Sequence, residues 1–249
     1  MAGLMFAYIF MRPRFAQYKI EGFRIGDYTR ELFRKMLRIG LPAGIQFVFE
    51  VSAFGFAAIM VGWFGAKSLA AHQIAINLAS ISYMMATGLS AAATIRIGNQ
   101  LGRNDIPVLR TAGFTLYFMT VMLMSMWALI FIFGRYFLPT LYIDDQEVIQ
   151  IATSLLIVAG FFQISDGVQV VGLGALRGMA DVKIPTLITF LAYWVFALPM
   201  GYILGFVFEF GTIGIWVGLL SGLSIAGILL FLRFNHLTRK MIHKGSYPK

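Results

Sequence analysis

Cysteine is absent from the 249 residues, which removes disulfide frameworks and thiolate metal sites from consideration. Charge is scarce as well: Asp, Glu, Lys and Arg make up 12% of the chain, against about 25% in soluble domains. With so little charge and a mean hydropathy of +0.80, a water-soluble globular domain is excluded. The two-residue alternation of apolar and polar positions that barrel strands need is missing too. Helices are therefore the spanning form that remains. A secretory signal is also lacking: the opening run MAGLMFAYIF has no charged region before it, and Arg12 and Arg14 follow it.

What is present is apolar length. Hydrophobic residues make up 59% of the chain, with 24 Phe, and six stretches reach the roughly 18 residues that cross a ~30 Å hydrocarbon layer as a helix. They lie at about 40–64, 69–95, 108–133, 149–173, 185–208 and 213–232. The expected fold is an all-α polytopic membrane bundle of six complete transmembrane helices, occupying residues 39–233. Residues 1–10 read as the tail of a further spanning helix whose beginning is missing, 11–38 as a basic connector, and 234–249 as a basic tail. Within the connector, DYTRELFRKMLRI sets Leu32, Phe33, Met36, Leu37 and Ile39 among basic residues, with Asp27 and Glu31 as cap and first-turn acid. This is an amphipathic helix, lying on the membrane surface or serving as a solvated linker.

The net charge of +9 invites a nucleic-acid reading, which the placement of the charges removes. If the 11–38 connector is cytoplasmic, 18 of the 20 Lys and Arg fall on the cytoplasmic side and only Lys67 and Arg135 on the other. That asymmetry is the positive-inside pattern of a multi-pass plasma-membrane protein, a bacterial inner-membrane protein in the first instance, with the connector and C-terminus cytoplasmic. No nucleic-acid partner is called for. Trp63, Trp127, Tyr136 and Tyr142 fall near the predicted outer ends, as interfacial anchors do.

Nine of the 11 acidic residues fall in loops; Glu50 and Asp166 fall inside spans. Glu50 lies 12 residues beyond Arg38 and Asp166 lies 11 before Arg177, both arginines marking the cytoplasmic boundary. At a rise of about 1.5 Å per residue, each carboxylate sits roughly 16–18 Å deep, near the middle of the core. Amides share their faces: Gln46 stands four residues before Glu50, and Gln163 and Gln169 three residues to either side of Asp166. The second span adds His72, Gln73, Asn77, Ser80 and Ser82, with Gln73, Asn77 and Ser80 on one face. Together these residues predict one wet pocket. Neither acid has an intramembrane Lys or Arg to pair with, so a mobile cation, whether a proton, Na⁺ or an organic cation, is the expected partner. The competing reading makes the two acids neutral hydrogen-bonding links between helices. His72 reads as a satisfied interfacial histidine rather than a proton relay. The glycines of GLGALRG read as helix-packing positions rather than a phosphate cradle, since no strand precedes them. Pro199 is placed to kink its helix.

Four separated motifs, RIGLPAGIQFVFEVSAF, GAKSLAAHQIAIN, SAAATIRIGNQLGRND and SDGVQVVGLGALRGMADVKIP, resemble in order the MATE (multidrug and toxic compound extrusion) family, in its NorM-type branch. The resemblance covers residues 38–185, and the helix pattern extends it to about 235. It implies the second, C-terminal lobe of a twelve-helix transporter that exports organic-cation drugs in exchange for Na⁺ or H⁺, with a cytoplasmic connector between lobes. By the same resemblance Glu50 and Asp166 take the positions of the acidic residues in the seventh and tenth helices that bind the coupling cation, the one metal ion implied being Na⁺ there. Some members carry a tyrosine one turn before that aspartate, where this chain has Phe162. Alternating access needs two lobes, so an N-terminal lobe, in the same longer chain or as a separate polypeptide, is an expected partner beside the bilayer and the drugs. No cofactor and no enzymatic activity are implied. Two alternatives stay open: a lipid-linked oligosaccharide flippase of the same superfamily, disfavoured by the lack of mid-membrane Lys or Arg, and a truncated remnant that transports nothing.

Overall fold

The computed structural model describes Tyr8, Met11 and residues 30–244. The chain divides into two compact units, Met1–Leu41 and Pro42–Lys249. Of the first, the expected helix tail at 1–10 and the Asp27 cap lie outside the described residues, except that Tyr8 is helical. Its part of the first described helix leaves Phe33, Met36 and Leu37 exposed.

The described residues form six long helices. They are α1 (Arg30–Gly62), α2 (Ala66–Gly102), α3 (Ile106–Gly134), α4 (Gln146–Gly178), α5 (Lys183–Val207) and α6 (Gly211–Lys244). Each contains a window long and apolar enough to span a membrane, and the chain is a multi-pass membrane protein. All six expected spans are found. The amphipathic stretch from Arg30 onward is not a separate helix: it belongs to α1. The last helix is longer than its apolar run. Helix α6 runs on to Lys244, because Phe234, Thr238 and Met241 recur on one face and are buried.

Side chains end and start the helices where the sequence breaks. Asp105 accepts the Val108 N–H at the start of α3, and Asp145 accepts the Glu147 and Val148 N–H groups at the start of α4. Lys67 at the head of α2 pairs with Glu147 at the head of α4, and Arg233 of α6 grips Asp181 through two nitrogens, at 2.5 and 3.0 Å.

Helix α4 is central, packing against α2, α3 and α6. In a membrane there is no hydrophobic drive between helices, so close backbone approach through small residues carries the association. Gly174 lies against Ser90, Gly178 against Thr94 and Gly167 against Met124 and Thr120. The hydroxyls at that seam bond across it, Ser90 to the Val170 carbonyl at 2.7 Å and Thr94 to the Gly174 carbonyl at 2.9 Å. The GLGALRG glycines therefore pack helices, as the sequence predicts. On α6, Gly214, Gly218 and Gly222 lie one turn apart and face the backbone of α5 at Leu204, Gly201 and Ala192.

Helix α5 is not uniform. It widens to i→i+5 turns over Leu191–Ala197 and again over Ile203–Val207. Pro199 stands between the two segments and has no N–H to give its own turn. The irregularity expected of Pro199 thus takes the form of widened turns on either side of it.

Two large apolar clusters and a small one, Ala86, Met124 and Val170, fill the bundle. Of the large ones, one gathers Ala53, Ala57 and Val61 of α1, Ala71 and Leu78 of α2, Leu155 and Phe162 of α4, and Trp216 and Leu223 of α6. The other gathers Ala93 and Ile97, Leu109 and Tyr117, Val171 and Leu176, and Leu230 and Phe234. Along α2, α4 and α6 the first cluster ends, and the second begins, on either side of Ser82, of Gln163 to Gln169, and of Ser224. A buried polar layer separates two apolar cores.

Candidate functional site

That layer holds the predicted acids. Glu50 of α1 and Asp166 of α4 are 6% and 4% exposed, and both line one cavity of about 220 Å³. Its walls are otherwise apolar and aromatic: Phe47, Val51 and Phe54 of α1, Ile76, Ala79 and Tyr83 of α2, and Phe162 of α4, with Ser80 at the edge. Among the described residues no Lys or Arg lines it. Two carboxylates on separate helices among aromatic side chains have the chemistry to attract positive charge.

The amides take different partners from those that spacing indicates. Gln169 does not bond Asp166; its Nε2 donates to Glu50 Oε1 at 3.3 Å. Gln163 accepts a short hydrogen bond from Ser82 Oγ, and its own Nε2 is buried without a partner among the described residues. Gln46 is buried one turn before Glu50 on the same helix. Asp166 thus faces the cavity with no side-chain donor among the described residues. In a helix, residues three apart are neighbours, but each buried amide turns to whichever adjacent helix offers a complementary group.

Gln73 and Asn77 do not join the site. Both are exposed, neither lines the cavity, and Asn77 Oδ1 accepts from Tyr142 OH at 2.9 Å. The buried face of α2 runs through His72, Ala75, Ala79 and Ser82, a step around the helix from the face through Gln73 and Asn77. Of the predicted polar face only Ser80 reaches the cavity. His72 is satisfied, as expected: it is 2% exposed and its Nδ1 accepts the Trp216 indole N–H at 3.1 Å.

Phe162 lies at the cavity wall and packs its ring on Phe54 and Trp216, with centroids 5.9 and 5.5 Å apart. Two tyrosines also belong to the site and are not among the residues the sequence singles out. Tyr83 lines the cavity. Tyr193 of α5, fully buried, donates to Gln169 Oε1 at 2.8 Å and reaches Glu50 Oε1 at 3.5 Å. The depth rule that finds the acids also finds Tyr193, which lies 10 residues beyond Lys183 and so about 15 Å in. Its polar tip escapes notice only because its ring reads as one more aromatic.

A family model described as MatE matches residues 42–203, from the first acid of the site through Tyr193. This chain belongs to the MatE family. Among its MatE relatives, the probable multidrug resistance protein NorM of Rhodopseudomonas palustris is 41% identical over 92% of this chain and 49% of its own length. The multidrug resistance protein MdtK of Yersinia pseudotuberculosis is 36% identical over 95% of this chain and 53% of its own. Solved MATE structures share the fold. The Vibrio cholerae MATE transporter VcmN in its bent form superposes with a TM-score of 0.80 at 19% identity, over 92% of this chain and 52% of that one. The eukaryotic MATE transporter AtDTX14 gives 0.76 at 23%, over 88% and 51%. The chain spans about half the length of the relatives it matches.

Proposed function

We propose that this chain is the C-terminal lobe of a cation-coupled multidrug efflux antiporter, which exports organic cations by alternating access in exchange for Na⁺ or H⁺. One observation carries the reading: Glu50 and Asp166, from two helices, line a single aromatic cavity into which, among the described residues, no Lys or Arg projects. A coupling cation at the two carboxylates binds the outward-open and inward-open states differently, and that difference drives release of the drug outside. Aromatic walls with two acids suit an organic cation at the same place, so ion and drug exclude one another electrostatically. The cavity of about 220 Å³ is smaller than the ~300–1,000 Å³ of drug-sized pockets, in keeping with a site to which a second lobe adds the remaining wall.

The relatives' names and the half-length coverage support the two-lobed reading. Charge asymmetry supports an orientation with the α2–α3, α4–α5 and C-terminal ends in the cytoplasm, in a bacterial inner membrane. The ion is Na⁺ or H⁺; Phe162 supplies no hydroxyl where some members of the family have one. The test is transport by the longer protein in proteoliposomes. Efflux of a fluorescent organic cation should follow an imposed Na⁺ or H⁺ gradient and collapse with it, and the 249-residue chain alone should carry none. Efflux indifferent to both gradients overturns coupling, and efflux by the lone chain overturns the need for a second lobe.

A further inference from the structure

Glu50 and Asp166 share a cavity but differ in hydrogen bonding. Asp166 accepts no side-chain hydrogen bond among the described residues, whereas Glu50 Oε1 faces donors from two other helices, Gln169 of α4 and Tyr193 of α5. A glutamine beside a carboxylate can present either its N–H edge or its carbonyl edge, and only the first is attractive. Here the phenol decides. Tyr193 OH donates to Gln169 Oε1 at 2.8 Å, so the carbonyl is engaged and Nε2 is left facing Glu50 at 3.3 Å. The amide donor at Glu50 is neutral, so it orients the carboxylate without cancelling its charge, as a lysine or arginine would.

Tyr193 is itself held in place. It sits in the widened turn Leu191–Ala197, its neighbour Trp194 donates its indole N–H to the Phe49 carbonyl at 3.2 Å, and its ring packs on Phe54 at 5.8 Å. Helix α5 is thereby tied to α1 on both sides of Glu50, at the residue before it and one turn after it. A tyrosine in a regular, unattached helix would have no such fixed reach.

We infer that Tyr193 is a positioning residue for the coupling cation: through Gln169 it keeps a donor edge on Glu50 and so holds that carboxylate in one orientation with its charge free for the ion. This rests on the reading of Glu50 as a cation ligand, and the experiment separates the two. In proteoliposomes containing the longer protein, drug efflux is measured against coupling-cation concentration. Tyr193→Phe raises the half-saturating cation concentration about tenfold, the value of one hydrogen bond to a charged group, and leaves the maximal rate within about twofold. Gln169→Met produces a similar shift, and the double variant adds little to either, since both act through one chain of bonds. Variants are compared on monodisperse protein; should Tyr193→Phe fail to fold, Gln169→Met with Tyr193 in place carries the test. Unchanged half-saturation, or shifts that add in the double variant, overturns the positioning role. Glu50→Gln run alongside tests the underlying reading: cation dependence that survives in it overturns both, whereas dependence lost there and unaltered in Tyr193→Phe overturns the positioning role alone.

Discussion

Gln169 stands three residues from Asp166 on α4, yet its amide nitrogen donates to Glu50 on α1, at 3.3 Å. The two acids of the cavity are thereby made unequal: Glu50 is oriented from α4 and α5, while Asp166 is left to whatever enters.

The second amide of that face has an unmatched donor. Gln163 Nε2 is buried without a partner among the described residues, and an orphaned buried donor costs about 1–3 kcal/mol. Gln163→Met removes it, and Ser82 keeps its other acceptor, the Ala79 carbonyl, at 2.8 Å. Thermal melting of the purified protein in detergent should give a midpoint no lower than that of the unaltered chain. A clearly lowered midpoint would mean that the amide nitrogen is engaged.

His72 is a structural acceptor in this fold. His72→Leu strands the Trp216 indole N–H inside the apolar core and lowers stability by about 1–3 kcal/mol, read from the melting midpoint. Because His72 does not line the cavity, the half-saturating coupling-cation concentration stays where it was. A shift in that concentration without a loss of stability would place His72 in the transport path.

Glycines on the two sides of the bundle should respond in opposite directions. A Cβ at Gly218 would overlap the backbone of Gly201 and the Ala197 carbonyl, where no flexible side chain can give way. Gly218→Ala should therefore destabilise the α5–α6 seam by about 1–3 kcal/mol or more. Gly88, on an exposed part of α2, has nothing within 4 Å of such a Cβ. Gly88→Ala should raise stability by up to about 1 kcal/mol through helix propensity. Equal effects at the two positions in a detergent melt would contradict the packing described for α5 and α6.

How far the sequence reaches is set by the kind of question asked of it. Apolar length places all six spans, because crossing hydrocarbon demands a minimum run whatever the neighbours are. Depth counted from Arg38 and Arg177 brings Glu50 and Asp166 to one cavity, because helical rise is fixed. Facing is harder. A step of one residue turns a side chain by about 100°, so Gln73 and Asn77 were within a turn of the buried face of α2 and still point away. Partners are harder again: Gln163 Oε1 pairs with Ser82 and Gln169 with Glu50 and Tyr193, all on other helices, and no spacing along α4 reveals that. The full length of α6 does not show in apolar length alone: charges interrupt the run beyond residue 232, yet Phe234, Thr238 and Met241 among them bury a face.

The central claim is that Glu50 and Asp166 together hold the coupling cation. The most direct measurement is cation binding by the purified longer protein: ²²Na⁺ retained at equilibrium, and protons released into weak buffer when an organic cation is added. The unaltered protein should retain Na⁺ or release protons, and the Glu50→Gln, Asp166→Asn double variant, matched in size and monodisperse in detergent, should do neither. Retention or release undiminished in the double variant would contradict the account.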